Sequence, residues 1–262
     1  MTAPTTPSTL TSLLTELANG AIRVVDLTAP LSSTTPVLQL PAPFANTIPL
    51  SLEPVSDFDD AGPGWGWNNI HTGEHTGTHV DAPAHWATGR TGHTVDTIPP
   101  SRLVGPAVVL DFTAEAASDP DFLLEPAHLD EFVAKNGPLP DNAWLVFRTG
   151  WSARNQDAEA FLNADDNGPH SPGVSVAGAQ WLADSPISGF AVETVGVDAG
   201  QAAAMEPMFP VHYHLLGADK YGVTQLQNLE QLPVTGAVLV VSPLPIVGGT
   251  GSPARVLAFV PA

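Results

Sequence analysis

The feature that most constrains this chain is the segment from His75 to His85, which reads HTGTHVDAPAH. Its three histidines and its aspartate stand at positions 75, 79, 81 and 85, all of one parity. Because alternate side chains of an extended chain share a face, His75, His79 and Asp81 can converge on one point. The β-branched residues between them favour a strand, and Pro83 ends it. The segment therefore predicts an extended stretch with polar ligands on one face.

Two imidazoles and a carboxylate are a donor set that divalent Zn, Mn and Fe accept, and three protein ligands leave positions open to water and substrate. Two histidines four residues apart occur often by chance. This segment is more specific for a metal site, because it also has an aspartate at a position of the same parity, the further His85, and a Gly and a Pro that interrupt regular structure. We predict that His75, His79 and Asp81 hold one divalent ion, Mn²⁺ or Zn²⁺.

The pattern HxGTHxDxPxH resembles the signature of the metal-dependent cyclase family, which includes bacterial kynurenine formamidase and isatin hydrolase. The resemblance extends over roughly residues 22 to 260. It implies a swivelling β/β/α fold and homodimers or homotetramers with an exchanged N-terminal segment. Further segments that look familial are 25–28 (VDLT), 148–152 (RTGWS), 170–173 (HSPG), 193–198 (ETVGVD), 210–212 (PVH) and 248–253 (GGTGSP).

Strand and helix patterns alternate along the 262 residues, which predicts the α/β class. Apolar runs at 21–27, 104–112, 143–147, 190–197, 237–243 and 254–260 predict strands. Apolar residues at helical spacing predict helices at 10–18, 127–135 and 174–182. Residues 29–66 carry few periodic signals and predict a long irregular segment. We expect a disordered N-terminal tail over residues 1–9 and one cyclase-like hydrolase domain over 10–262.

The composition excludes several classes of protein. With 27 acidic against 8 basic residues the net charge is -19, which argues against nucleic acid and anionic membrane surfaces as partners. The chain has no cysteine, so a metal must be held by N and O ligands. No apolar run approaches the ~20 residues that span a bilayer, and no signal peptide is visible. We expect a cytoplasmic protein.

A second part of the site is implied by the resemblance. In dinuclear members of the family, a later His and a Glu twelve residues on bind a second ion. Residues 210–216 match the familial Pro-x-His-x-x-Leu-Leu pattern, which gives His212 that position, but twelve residues on stands Thr224. A neutral hydroxyl lacks the charge that a second cation needs nearby. We therefore predict a single ion, with Gln225 as a further oxygen ligand and Thr224 facing the substrate.

Proton transfer is assigned to His85 by the resemblance, as general acid and base. An unperturbed imidazole titrates near pH ~6.5, which suits this role; the alternative is that His85 only orients the ligands. His212 is either catalytic or a buried core histidine. Trp65, Trp67 and Trp86 flank the motif and are expected to stack on a planar aromatic substrate, or else to belong to the core.

The predicted activity is hydrolysis of a cyclic amide or related activated carbonyl by attack of metal-bound water, as in isatin hydrolase. N-formylkynurenine is the second candidate substrate and a lactone the third. A polyketide-type cyclase or dehydratase would use the same site without net hydrolysis, so the mass of the product separates the two. A non-catalytic metal-binding protein is the remaining alternative, against which the intact motif argues.

Overall fold

The computed structural model describes residues 8–40 and 42–262. Residues 1–7 of the predicted tail lie outside the described residues, whereas Ser8 caps the first helix. The helices are α1 (Thr9–Asn19), α2 (Thr113–Ser118), α3 (Pro126–Asn136), α4 (Ala158–Leu162) and α5 (Val176–Asp184). The strands are β1 (Ile22–Asp26), β2 (Ser51–Asp57), β3 (Gly66–His71), β4 (His79–Asp81), β5 (Val104–Asp111), β6 (Leu123–Leu124), β7 (Trp144–Arg148), β8 (Ala164–Asp165), β9 (Gly168–Pro169), β10 (Gly173–Val174), β11 (Gly189–Val192), β12 (Tyr221–Thr224), β13 (Ala237–Pro243) and β14 (Gly251–Pro261).

The large sheet closes into a barrel. Its strands follow the order β1-β14-β13-β5-β7-β11-β12-β4, and β4 also pairs with β14. The short β4 thus fills the seam between β12 and β14, antiparallel to both. The four adjacent strands β5, β7, β11 and β12 run parallel to one another, which requires crossover connections between them.

Both faces of the central strands are buried, which explains their continuous apolar sequences. On β5, Ala107 and Val109 join an apolar cluster to which the other barrel strands also contribute, so this cluster fills the barrel. Val108 and Leu110 face the other way and pack with residues of α3 and α5. The helices therefore cover the outside of the parallel strands, and the α/β class is confirmed.

Most predicted elements are found close to their predicted bounds, with three differences. The strand predicted at 190–197 ends at Val192, and the helix predicted at 174–182 lies at 176–184, where Ser175 caps it by accepting from the Gly178 N–H. Residues 29–66 were predicted to be irregular, but β2 and β3 form a hairpin there and beyond. None of the helices in the described part of the chain is long and apolar enough to cross a membrane.

Candidate metal centre and active site

Strand β4 presents His79 and Asp81 on the face opposite Val80, which packs inside the barrel. Asp81 stands across from Gly222 of β12 and Gly251 of β14. One ligand atom from each of His75, His79 and Asp81 lies within 4.8 Å of the other two. The structure thus brings together the three predicted ligands on the outside of the barrel seam.

The extended geometry predicted for the whole motif holds only for residues 79–81. A turn at Gly77, whose φ is +63°, precedes the strand and carries His75 to the centre. A Cβ on Gly77 would lie 2.2 Å from Cδ2 of Leu31, so both the φ angle and the space require glycine. At the other end, His85 lies in a short 3-10 helix, Pro83–His85, which turns it back over the ligands.

The Asp81 carboxylate is the anionic centre of the site and is only 2% exposed. Its Oδ1 lies 2.7 Å from Nδ1 of His75 and 3.2 Å from Nε2 of His79. Burial alone would raise the pKa of Asp81, but the charges and hydrogen bonds of His79 and His75 outweigh it and hold the pKa well below its usual range. Asp81 is therefore ionised at neutral pH and offers the charge that a cation needs.

Hydrogen bonds to the other nitrogen of each ring leave the nitrogen that faces Asp81 as the one a metal would take, in place of the proton shared there with Asp81. Nδ1 of His79 lies 2.7 Å from the Gly77 carbonyl, which can only accept, so Nδ1 carries the proton and Nε2 is left for a metal. The Thr250 hydroxyl donates to Glu74 and must therefore accept from Nε2 of His75, 3.1 Å away, which leaves Nδ1. Such partners of ligating histidines are typical of metal sites, and the N/N/O donor set fits a divalent metal ion.

His85 stacks on His75, one of the predicted ligands. Its ring centroid lies 3.9 Å from that of His75 and 5.5 Å from that of His212. Burial lowers the pKa of His85 to about 3, the charge of Asp81 opposing this and those of the neighbouring histidines adding to it. The imidazole is therefore neutral at neutral pH.

The ring of His212 completes the cluster. His212 is the first residue of a π-helical turn, His212–Leu216. Its Nε2 lies 3.8 Å from Oδ2 of Asp81, and its Nδ1 donates to Asp198. Burial would lower the pKa of His212, but the hydrogen bond and charge of Asp198, with the charge of Asp81, raise it.

Thr224 and Gln225 follow one another at the end of β12 but do different things. The buried Thr224 hydroxyl lies 3.0 Å from Nδ1 of His79, directly behind a predicted ligand. Gln225 has a φ of +54°, and its side-chain amide donates to the Pro36 carbonyl at 3.1 Å. The nitrogen end of Gln225 thus holds the loop before β2, and only its Oε1 is left for the predicted ligand role.

The three tryptophans predicted to bind substrate lie in two different places. Trp86 lies against the site, its ring centroid 4.8 Å from that of His212 and 5.7 Å from that of Phe209. Trp65 and Trp67 belong to the β2–β3 hairpin and are 51% and 59% exposed. Among the described residues, the aromatic rings that contact the site histidines are Trp86 and Phe209.

Four residues of the site were missed by the sequence reasoning: Glu74, Asp198, Phe209 and Thr250. Asp198 and Thr250 stand inside segments that look familial, but neither residue was given a role there. The oxygen of Thr250 in fact touches His75. The Phe209 backbone has a φ of +53°, unusual for a bulky residue, and nothing in its sequence surroundings signals this.

Comparisons with known proteins agree with this geometry. Residues 25–199 match the sequence model of the Cyclase family. The chain is 45% identical over 258 residues to isatin hydrolase of Roseibium aggregatum, covering 97% of this chain and 98% of the relative. It is 30% identical over 193 residues to kynurenine formamidase of Salinibacter ruber, covering 71% of this chain and 76% of the relative. The crystal structure of an isatin hydrolase bound to the product analogue thioisatinate superposes with a TM-score of 0.95, at 43% identity and with 100% of both chains covered.

Proposed function

This chain belongs to the Cyclase family, and we propose that it is a metal-dependent hydrolase that opens the C–N bond of a cyclic amide such as isatin. The observation that carries the proposal is similarity to isatin hydrolases over nearly the whole chain, at 45% identity with one relative. The kynurenine formamidase relative is more distant, at 30% identity over 71% of the chain. The cyclic amide is therefore the first substrate to test.

His75, His79 and Asp81 would hold the metal, through Nδ1, Nε2 and a carboxylate oxygen. A bound divalent cation supplies a Lewis acid that polarises a carbonyl and makes water acidic near neutral pH. We propose one ion, Mn²⁺ or Zn²⁺, because Thr224 stands where a dinuclear member of the family has a carboxylate. Oε1 of Gln225 is proposed as an additional oxygen ligand.

The chain's own residues would handle the proton and the ring. The His85 imidazole, next to His75, would take a proton from the attacking water and return it to the amide nitrogen as the C–N bond breaks, the role that the resemblance to the family implies. His212 would act beside it through Nε2. Trp86 and Phe209 form an aromatic wall against which a planar substrate would stack. Thr224, whose hydroxyl lies behind His79, would help to shape the substrate pocket through that histidine.

The test combines metal analysis with turnover. Protein purified without chelator is analysed for metal per chain, and isatin opening is followed in parallel with hydrolysis of N-formylkynurenine. We expect about one Mn²⁺ or Zn²⁺ per chain and a product heavier than isatin by one water. Asp81→Asn, which removes the anionic ligand, is the control and should lose both metal and turnover.

Other results would change the assignment. About two ions per chain, with faster hydrolysis of N-formylkynurenine, would favour the formamidase, the alternative that the 30% identical relative supports. A lactone is the third candidate. A product of unchanged mass, or one that has lost water, would favour the polyketide-type cyclase or dehydratase.

A homo-oligomer is proposed from the β2–β3 hairpin. Six large apolar side chains of this hairpin are exposed: Leu52, Val55, Phe58, Trp65, Trp67 and Ile70. A two-stranded hairpin is marginally stable alone, and so large an apolar surface rarely faces water in a monomer. A second copy of the chain would cover it, as a homodimer or homotetramer, and Trp65 and Trp67 could then meet a partner or its substrate.

A further inference from the structure

A buried carboxylate stands behind His212. Asp198 lies in the loop after β11, and its side chain is 5% exposed. Its Oδ1 accepts from the backbone N–H of Val211 at 2.7 Å. Its Oδ2 accepts from the backbone N–H of His212 at 3.2 Å and from the ring nitrogen Nδ1 of His212. One carboxylate thus accepts hydrogen bonds both from the ring of His212 and from the backbone at the start of its helical turn.

These hydrogen bonds determine which ring nitrogen of His212 faces the site. A carboxylate can only accept a hydrogen bond, so Nδ1 of His212 carries a proton. Nε2 is then the one ring nitrogen left, and it points to Oδ2 of Asp81, 3.8 Å away. Trp86 packs at 4.8 Å between ring centroids and further limits rotation of the ring.

We propose that Asp198 is a positioning residue: it fixes the tautomer and the orientation of His212, so that an unprotonated Nε2 faces the Asp81 carboxylate. The inference rests on the proposed function of the same site. Asp198 itself touches neither the predicted ligands nor the space beside them; it acts through His212. The competing role is purely structural, in which Asp198 only caps the turn His212–Leu216 through the two backbone N–H groups.

The variant Asp198→Asn separates the two roles. Its amide oxygen can still accept from the Val211 N–H, but its NH₂ group, in the place of Oδ2, faces Nδ1 of His212 and demands the opposite tautomer. The same NH₂ group gives up the bond from the backbone N–H of His212, so the His212→Gln background is needed to separate the two effects. We expect kcat for isatin to fall about 10- to 100-fold, with KM and metal content unchanged. In the His212→Gln background, Asp198→Asn should cause no further loss of kcat. An equal further loss in that background would overturn the proposal.

A second readout does not depend on turnover. The ¹⁵N NMR shifts of the His212 ring report its tautomer in metal-free and Zn²⁺-loaded protein. We expect Nδ1–H in the wild type and Nε2–H in Asp198→Asn. A wild-type His212 protonated at Nε2 alone would overturn the proposal even if the variant fails to fold. If isatin is not a substrate, the proposed function fails, while this measurement still decides the role of Asp198.

Discussion

Gly251 leaves no room for a side chain next to the metal centre. A Cβ there would lie 2.4 Å from Cε1 of His75 and 2.7 Å from the Val80 carbonyl oxygen. The carbonyl is held by the β4–β14 pairing, so the imidazole has to move. We expect Gly251→Ala to weaken metal binding at least about 10-fold, measured by competition with a chromophoric chelator. Gly64→Ala, where a Cβ would meet nothing within 4 Å, is the control and should bind metal as the wild type does.

His85 is expected to be needed for turnover but not for metal. Its ring stacks on His75 without being one of the three converging ligands. His85→Gln should therefore keep the wild-type metal content while kcat falls about 10²- to 10⁴-fold, the usual contribution of a general acid or base. Metal analysis and isatin turnover on the same preparation measure both. Loss of metal together with activity would assign His85 to ligand orientation instead.

At the residue scale, the sequence predicted which three side chains converge because residue type and spacing are local. His79 and Asp81 lie on the same face of β4, as expected for alternate residues of a strand. His75 reaches the centre only through a left-handed turn, which spacing does not encode. Asp198 is fourteen residues from His212, and its role depends on where the loop after β11 meets the turn at 212. Such contacts require the tertiary fold.

The ends of β7 and β11 are tied by the carboxylate of Glu193, which is 2% exposed. It accepts from the N–H groups of Thr149 at 2.5 Å and Gly150 at 2.6 Å, and from the Ser152 hydroxyl at 2.6 Å. Glu193→Gln would turn an NH₂ group toward one of these donors. We expect it to lower the free energy of unfolding by about 2–3 kcal/mol, measured by urea denaturation. The exposed Glu230→Gln is the control, and an equally small effect in both would contradict this role.

At the element scale, buried strands were easier to predict than exposed ones. β5 and β7 are apolar on both faces because barrel and helices cover them, and this leaves a continuous run in the sequence. Six of the seven residues of β2 are exposed, so no face of it imposes an apolar alternation, and Pro54 breaks the pattern further. The strand predicted at 190–197 is shorter than expected, because the chain leaves the sheet after Val192 and continues as the loop 193–198.

For the molecule as a whole, the ion network around His170 contributes to the pH dependence of the free energy of unfolding. Nδ1 of His170 lies 2.7 Å from Asp121, and its Nε2 lies 3.2 Å from Asp165. The hydrogen bonds to Asp121 and Asp165 raise the pKa of His170 above its ordinary value. The folded state therefore binds this proton more tightly than the unfolded chain does. The network's contribution is full below the unfolded pKa of about 6.5 and is lost as pH rises through the folded pKa.

The variant His170→Gln checks this sign. Its loss of stability relative to the wild type should be larger near pH ~6 than near pH ~9, as measured by urea denaturation at both pH values. The same loss at both would mean that the ring is held by packing, and a larger loss at the higher pH would contradict the direction of the pKa shift.

The proposed oligomer has to form against a net charge of -19 on each copy. Association must then come from apolar contact, and added salt should strengthen it by screening the repulsion. Leu52 and Ile70 stand directly opposite each other on β2 and β3 and are 57% and 67% exposed. Their pairing places both side chains on one face of the hairpin, which is the surface that a second copy would cover.

Ile70→Glu adds a charge to that face and should convert the oligomer to monomers in sedimentation velocity, with metal content retained. Val247→Glu is the matched control, because Val247 is 88% exposed and belongs to the turn before β14 and not to the hairpin. A wild type that sediments as a monomer at all salt concentrations, or an Ile70→Glu variant that assembles like the control, would remove the hairpin from the interface. Isatin turnover by the monomeric variant would further show whether each copy carries a complete site.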